Sequence, residues 1–357
     1  MMTRSAIQLQ SQPAQRSSFA LLLNANAKQV TPRILHALEQ VAGREVIFVS
    51  HDEAEADDIA DFVVSRGYET VFAGGGDGTF VGWVNRILDR AERKALPVPR
   101  FGVLALGTGN AMAEVVGARL DGPVADLSAF ANGELYRVRS LDLLTCEERR
   151  TPFAGVGFDA AVLNDYSWFK NRLGGTILQA MATGAPGYAL SVALRSAPRQ
   201  LFLRRPSYCE IVNVGRPAFR LDGRGRQLGP AIRYGELLYA GPCMMAAAST
   251  VPFYGFGLRA FPFADSRPGL LQLRVATAIP LPTLLLNLPS IWAGDFAHPN
   301  LLDFHAERVS LQFEPAMPLQ VGGDADGWRE HVTFGVTPTS IELVDFRRPR
   351  RRLRLLS

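Results

Sequence analysis

Residues 74–79 read GGGDGT and lie between a short apolar run, Val71, Phe72 and Ala73, and an amphipathic stretch. Glycine has no Cβ, so successive backbone N–H groups can press against an anionic ligand, and a helix starting there adds the positive end of its dipole. Gly74, Gly75, Gly76, Gly78 and Thr79 are therefore candidates for holding phosphate. Asp77 needs a separate reason, because a carboxylate beside phosphates is repelled unless it holds a metal, accepts a hydroxyl proton or bonds the turn itself. The plain alternative is a tight strand-to-helix turn with Asp77 as the cap. A second turn of the same kind, LALGTGNAMA over residues 104–113, brings Gly107, Thr108, Gly109 and Asn110 to the end of another apolar run. Neither turn fits GxxxxGK[ST] or GxGxxG.

The elements around these turns decide whether they can act together. From residue 19 to about 140, short apolar runs (FALLL, EVIFV, TVFA) alternate with amphipathic segments near 30–41 and 53–65 and after Thr79. In the last of these, Phe80, Val81, Val84, Ile87, Leu88 and Ala91 recur at helical spacing, which predicts one face packed on a sheet. Strands alternating with helices predict a three-layer α/β domain with a parallel sheet. Ligands of such sheets bind beyond the carboxyl ends of the strands, so the two turns are expected to converge. After about residue 140 the chain turns to short apolar runs cut by Gly and Pro, among them SYCEIVNVG, GELLYAGPC, GLLQLRVAT, RVSLQFEP and HVTFGV. That texture predicts an antiparallel two-layer β domain, with a helical insertion near 173–194.

The pair GGGDGT and LGTGNAMA, about thirty residues apart, resembles the catalytic domain shared by diacylglycerol kinases, sphingosine kinases and bacterial lipid kinases. FALLLNANAK resembles that family's first strand and loop, matching at Asn24 and departing at Ala25 and in the absence of a glycine. Ser50 falls where the family has a nucleotide-contacting threonine. FAGVGFDAAV, FPFADSRPGLLQLRV and MPLQVGGDADGW resemble its later elements, so the resemblance covers nearly all of residues 19–346. It implies a nucleotide domain over 18–139, a β-sandwich lipid-binding domain over 140–335, an active cleft between them, and a segment, 336–346, returning to the first domain. Residues 1–17 are then a lead-in and 347–357 a basic tail.

The same resemblance implies an ATP-dependent lipid kinase that phosphorylates a hydroxyl of a diacylglycerol-like, sphingoid or related membrane lipid, with ATP and Mg²⁺ as cofactors. Asn24, Ser50, Gly74 to Thr79 and Gly107 to Asn110 would cradle ATP, and Asp77 would act through Mg²⁺ or on the hydroxyl. Aligning QVGGDADG with the family's late motif puts Gly322 where its first aspartate is expected and Asp324 on the general base, with Asp326 as the substitute should the loop slide. Turn chemistry at a β-hairpin explains GGDADG as well. Pro268 and Gly269 stand where relatives have Asp-Gly, and Asp265 is the alternative metal ligand. Asp159 either meets a lipid head or braces a turn; bracing is favoured. The alternatives are an NAD kinase-like or phosphofructokinase-like phosphotransferase, which also carries GGDGT, and a catalytically impaired nucleotide- or lipid-binding protein.

Composition limits the remaining readings. A chain of 357 residues suits two domains, and 47% hydrophobic with 20% charged residues is globular. Net charge is +4, but six arginines fall between Arg347 and Arg354 with leucines among and after them, a composition suited to an anionic membrane surface. No nucleic-acid partner is expected. Three cysteines, Cys146, Cys209 and Cys243, lack metal spacing and favour buried thiols in a reducing cytosol. The five histidines have no zinc spacing and no Gly-x-Ser-x-Gly partner, which excludes the corresponding hydrolases. The first eighteen residues have no apolar core of a secretory signal. The stretches 173–194 and 279–293 are apolar but interrupted by Gly or Pro, and neither makes a convincing membrane span. YSWFKNR, 166–172, is an aromatic and basic string that could seat at a membrane interface. The expected location is cytoplasmic, at the membrane periphery.

Overall fold

The computed structural model describes residues 19–347 apart from 108–109, 121, 135, 158–159, 161–206 and 255–256. The expected insertion at 173–194, the string 166–172, Asp159 and the tail beyond Arg347 lie outside the described residues. The chain divides into two compact units, residues 1–141 with 341–357, and residues 142–340.

The first unit alternates strand and helix: β1 (Phe19–Asn24), α1 (Pro32–Ala42), β2 (Ile47–Ser50), α2 (Glu53–Arg66), β3 (Thr70–Gly75), α3 (Asp77–Lys94), β4 (Arg100–Ala105), α4 (Ala111–Val116), α5 (Pro123–Ala131) and β5 (Arg137–Leu141). Side chains set the helix starts. Thr31 accepts from the Ile34 N–H at 3.3 Å with Pro32 at the first helical position, and Asp52 accepts from the Glu55 N–H at 2.8 Å. The sheet order is β2-β1-β3-β4-β17-β5, where β17 (Ile341–Asp345) comes from the far end of the chain. β17 runs parallel to β4 and antiparallel to β5. All six residues of β3 are buried, as a central parallel strand covered on both faces requires. Leu21, Leu23, Phe72, Leu104, Leu106 and Val344 of the strands pack with Leu38, Leu127 and Phe130 of the helices.

α2 and α3 are laced by charges one turn apart. Arg86 and Arg90 reach Asp57 at 3.1 and 2.8 Å, and Arg90 and Lys94 reach Asp61 at 3.2 and 3.0 Å. Because the acids lie four apart on one helix and the bases four apart on the other, this network fixes the register of α3 against its neighbour. The start of α3 carries the first glycine turn, so the register also positions the site.

The second unit is antiparallel: β6 (Leu144–Cys146), β7 (Arg149–Thr151), β8 (Phe153–Gly157), β9 (Ser207–Asn213), β10 (Phe219–Leu221), β11 (Leu237–Cys243), β12 (Met245–Ser249), β13 (Leu271–Ala276), β14 (Leu301–Ala306), β15 (Arg308–Val321) and β16 (Asp324–Val336). Two short helices, α6 (Leu281–Leu286) and α7 (Leu288–Ala293), lie between β13 and β14. The eleven strands form one continuous hydrogen-bonded sheet. Its two layers arise because β15 shifts register between Gln312 and Met317, pairing with β9 on one side of the shift and with β8 beyond it. One core, including Ile211, Leu273, Phe304, Leu311 and Phe334, is thereby enclosed by distant strands. The three cysteines are free and buried in this unit, and Cys209 is pushed far up by its hydrogen bond to Cys243 and by burial.

Candidate functional site

The two glycine turns meet backbone to backbone. A Cβ on Gly107 would lie 2.2 Å from the Cα of Gly76 and 2.3 Å from its nitrogen, so only glycine lets the turns approach this closely. The Leu106 N–H donates to the Gly75 carbonyl at 3.2 Å across the same junction. Thr79 folds back over Gly75, where a Cβ would meet its hydroxyl at 2.5 Å, and it receives the amide of Asn24 at 3.4 Å. The loop after Asn24 is held by that side chain, whose oxygen accepts from the Asn26 N–H at 2.9 Å. Asn24, Gly74 to Thr79, Gly107 and Asn110 are thus brought together at the carboxyl ends of β1, β3 and β4. Thr108 and Gly109 lie outside the described residues.

Asp77 has a specific task in this arrangement. Its two carboxylate oxygens accept from the backbone N–H groups of Ala111 and Met112, both at 2.9 Å. The aspartate at the start of α3 therefore caps α4, thirty-four residues later, and ties one glycine turn to the other. Burial holds the carboxyl above its ordinary pKa, while the two N–H bonds pull it back only in part. Of the three tasks open to Asp77, bonding the turn is the one this geometry displays, since each oxygen accepts an N–H at a helix terminus. A consequence follows for α3: with Asp77 turned onto α4, its N-terminus has no side-chain cap. An eighteen-residue helix that starts beside a glycine turn without a side-chain cap is the kind of terminus that attracts anions.

Two further residues belong to the cluster. Asn110 donates to the Gly107 carbonyl at 3.0 Å, and its side-chain oxygen is buried with no donor, a site for a hydroxyl or N–H from a ligand. Gln29 reaches the same carbonyl at 3.3 Å and its backbone N–H bonds Leu106. Sequence reasoning missed Gln29, since nothing in its spacing sets it apart. Ser50 is 6% exposed and its hydroxyl donates to the Leu23 carbonyl at 3.4 Å.

In the second unit GGDADG forms the hairpin between β15 and β16. Val321 pairs with Asp324 across Gly322 and Gly323, whose φ angles of 62° and 94° suit a two-residue turn of the mirror-image type. The Gly323 N–H donates to the Gln320 side chain at 2.9 Å, fixing the turn to a buried residue. Asp324 emerges from the turn with no hydrogen-bond or ion-pair partner among the described residues. It is exposed on one side, while protein packed against its carboxyl raises the pKa and the Arg149 guanidinium pulls it down to a lesser degree. Asp326 is different: it pairs with Arg149, and with Arg329 at 3.3 Å. Both guanidiniums lie on its Oδ2, so this carboxylate is already engaged in ion pairs.

Asp265 is exposed, and Gly269 beside it bonds Asp142 at 2.7 Å. Among the described residues no three His, Cys, Asp or Glu side chains gather to hold a metal ion. Among the same residues no helix is long and apolar enough to cross a membrane.

Comparisons with known proteins agree with this architecture. Residues 19–143 match the diacylglycerol kinase catalytic domain, and residues 233–345 match the YegS C-terminal NAD kinase beta sandwich-like domain. A solved diacylglycerol kinase from Bacillus anthracis str. Sterne superposes with a TM-score of 0.57 at 11% identity, covering 93% of this chain and 98% of that one. A second crystal structure from the same organism gives 0.60 at 14% identity, with 93% and 99% covered. An eye-specific diacylglycerol kinase of Drosophila melanogaster is 53% identical over 47 residues, 13% of this chain. The match spans only 3% of the length of that relative.

Proposed function

We propose that this chain, which belongs to the diacylglycerol kinase-like family of phosphotransferases through both of its domains, transfers the γ-phosphoryl group of ATP to a hydroxyl of a membrane lipid. The observation that carries the reading is the junction of Gly76 with Gly107 beneath the uncapped N-terminus of α3, a cradle that a Cβ would fill. Phosphoryl transfer asks a protein chiefly for positioning and for charge aimed at the phosphates. The α3 N-terminus and the glycine backbone would hold those phosphates, and the unpartnered Asn110 oxygen would accept from the nucleotide or its water. ATP supplies the electrophilic phosphorus when bound.

Asp324 is the proposed base. It takes the proton of the acceptor hydroxyl as the oxygen bonds to phosphorus and ADP departs. Its raised pKa and lack of a partner favour that role over Asp326, which two arginines occupy. A divalent cation, Mg²⁺ by preference, would be carried by the phosphate oxygens and water, as that ion commonly is, rather than by a protein cage. The arginine-rich tail is proposed to hold the enzyme at an anionic cytoplasmic surface.

The test is incubation with γ-labelled ATP, Mg²⁺, a panel of membrane lipids and NAD, followed by separation of the products. A labelled diacylglycerol, sphingoid or related lipid supports the proposal. Label on NAD would transfer the chain to an NAD kinase-like activity. ATP binding without a labelled product would leave a nucleotide-binding protein that has lost turnover.

A further inference from the structure

Residues 275–294 contain no Asp, Glu, Lys or Arg, in a chain that is 20% charged. Such a run is ordinary inside a core, yet here, beyond the buried Val275 and Ile279, it reaches the surface. Leu286 is 83% exposed and Leu288 43%, Pro282, Pro289 and Ala293 are exposed, and no residue of α7 is buried. Solvated helices show one apolar face and one charged face. α6 and α7 show apolar side chains with no charged face at all.

The joint and the end of this hairpin are closed by its own backbone. Asn287 joins the helices, with its N–H and side-chain amide both bonded to the Thr283 carbonyl at 3.2 and 2.8 Å. Pro280, Pro282 and Pro289 have no N–H to satisfy, and α7 closes with the Gly294 and Asp295 N–H groups on Ile291 and Ser290. A segment entering an apolar medium needs its backbone bonded internally, and the joint and the closing turn of this one are bonded in that way. At its base the Trp292 carbonyl accepts from the Arg259 N–H at 3.0 Å, and the exposed Arg259 side chain packs where a Cβ on Gly294 would stand. A Cβ on Gly223 would lie 3.0 Å from that of Ala297, so the adjoining loop brings the exposed Arg224 near the same base, offset in part by Asp295. Leucines at the tip, a tryptophan at the far end and arginines at the base are the order in which interfacial segments meet acyl chains and then head groups.

We propose that the α6–α7 hairpin is a membrane-docking element, which seats its leucine tip in the acyl region of a lipid bilayer without crossing it. A protein partner is the less suited occupant. Protein interfaces concentrate their binding in Tyr, Trp and Arg at the centre, with Leu under-represented, whereas here leucine forms the exposed tip. The proposal deepens the membrane-lipid reading above by naming the surface that brings the protein to its acceptor.

The test is vesicle sedimentation of the full chain without ATP, on phosphatidylcholine vesicles and on phosphatidylcholine with an anionic lipid, at low and high salt. The Leu286→Asp, Leu288→Asp double variant should lose at least about tenfold of the partitioning that survives high salt, since apolar insertion is not screened. Its thermal transition should be unchanged, because both side chains are exposed. Deleting residues 348–357 should remove only the salt-sensitive part. Equal high-salt partitioning of parent and double variant would overturn the proposal. So would a parent that ignores vesicles but sediments as a dimer that the variant dissolves. Phosphorylation of detergent-dispersed lipid is measured separately: vesicle binding lost with the variant in a protein that labels no lipid keeps the docking element and removes the kinase reading, and the reverse pair of results does the opposite.

Discussion

The chain has two glycine-rich turns that carry an aspartate, and they use it in opposite ways. In GGGDGT both oxygens of Asp77 are engaged by the N–H groups of Ala111 and Met112, so the charge serves the start of α4. In GGDADG the first aspartate, Asp324, has no partner, while the second, Asp326, is held by Arg149 and Arg329. Burial raises the pKa of both Asp77 and Asp324, and that shift alone would nominate either as a base. Hydrogen-bond occupancy separates them. Both oxygens of Asp77 already accept N–H groups at a helix terminus, whereas the Asp324 side chain accepts from none of the described residues.

The strongest way to break this contrast is at Asp324. General-base assistance is worth about 10²- to 10⁴-fold, so Asp324→Asn should lower kcat by that order with ATP affinity and thermal transition nearly unchanged. Asp326→Asn should change kcat little and instead weaken the ion pairs to Arg149 and Arg329. Steady-state kinetics of both variants at saturating lipid and ATP decide the matter. A larger loss at Asp326 would reverse the assignment, and small losses at both would reduce GGDADG to a hairpin turn.

Next comes the junction that Asp77 braces. Gly107→Ala would place a methyl group 2.2 Å from Gly76, against backbone that cannot rotate away. Separating the turns should cost roughly 1–3 kcal/mol of the kind seen in overpacking, and ATP affinity should fall about tenfold or more. Gly82→Ala is the control, since its Cβ would meet only the end of Arg86 at 3.2 Å. Calorimetric titration with ATP would report unchanged affinity at Gly107→Ala if the turns do not bind phosphate.

Much of the first unit was legible in the sequence, because the signals there are local. The period of the segment after Thr79 gave α3, and the alternation of runs gave a parallel sheet. Thr31 and Asp52 mark helix starts through bonds only three residues long. What stayed hidden depends on partners far along the chain. Asp77 finds its donors thirty-four residues away, Arg149 meets Asp326 across 177, and the direction of the Ser50 hydroxyl is set by a strand twenty-seven residues earlier. The apolar run after Ile279 is short for a bilayer span, and periodicity cannot say whether such a run is buried or exposed. The single sheet behind the two β layers was equally invisible, since it turns on one register shift in β15.

A smaller effect tests the brace itself. Asp77→Ala removes two charge-assisted acceptors and relieves a carboxylate that burial disfavours, so the net loss should be about 1–2 kcal/mol. Asp77→Asn keeps one acceptor and should lose less. Because the folded pKa of Asp77 lies above the unfolded value, its contribution to stability is greatest at low pH, falls as pH rises from the ordinary aspartate range through the raised pKa, and is flat beyond. Denaturant titrations across that window should show the fall in the parent and its absence in Asp77→Asn. A normal folding curve in Asp77→Asn with a kcat loss of the size expected at Asp324 would make Asp77 the base instead.

The smallest expected effect is the most selective. Arg149 lies close enough to Asp324 to lower its pKa, against the larger upward push of burial, and it also pairs with Asp326. Removing the guanidinium in Arg149→Ala takes away the downward influence, so the carboxyl should need a higher pH to ionise. A base acts in its ionised form, and the acid limb of kcat/KM should therefore move to higher pH. Arg149 is half exposed, so solvent screening keeps the shift small. The same substitution frees Asp326 from one of its two arginines, and a shift of the same sign would follow if Asp326 were the base. Repeating the pH profile with Arg149→Ala in an Asp326→Asn background separates the cases. The limb moves as before if Asp324 takes the proton, and stays where Asp326→Asn alone puts it if Asp324 does not.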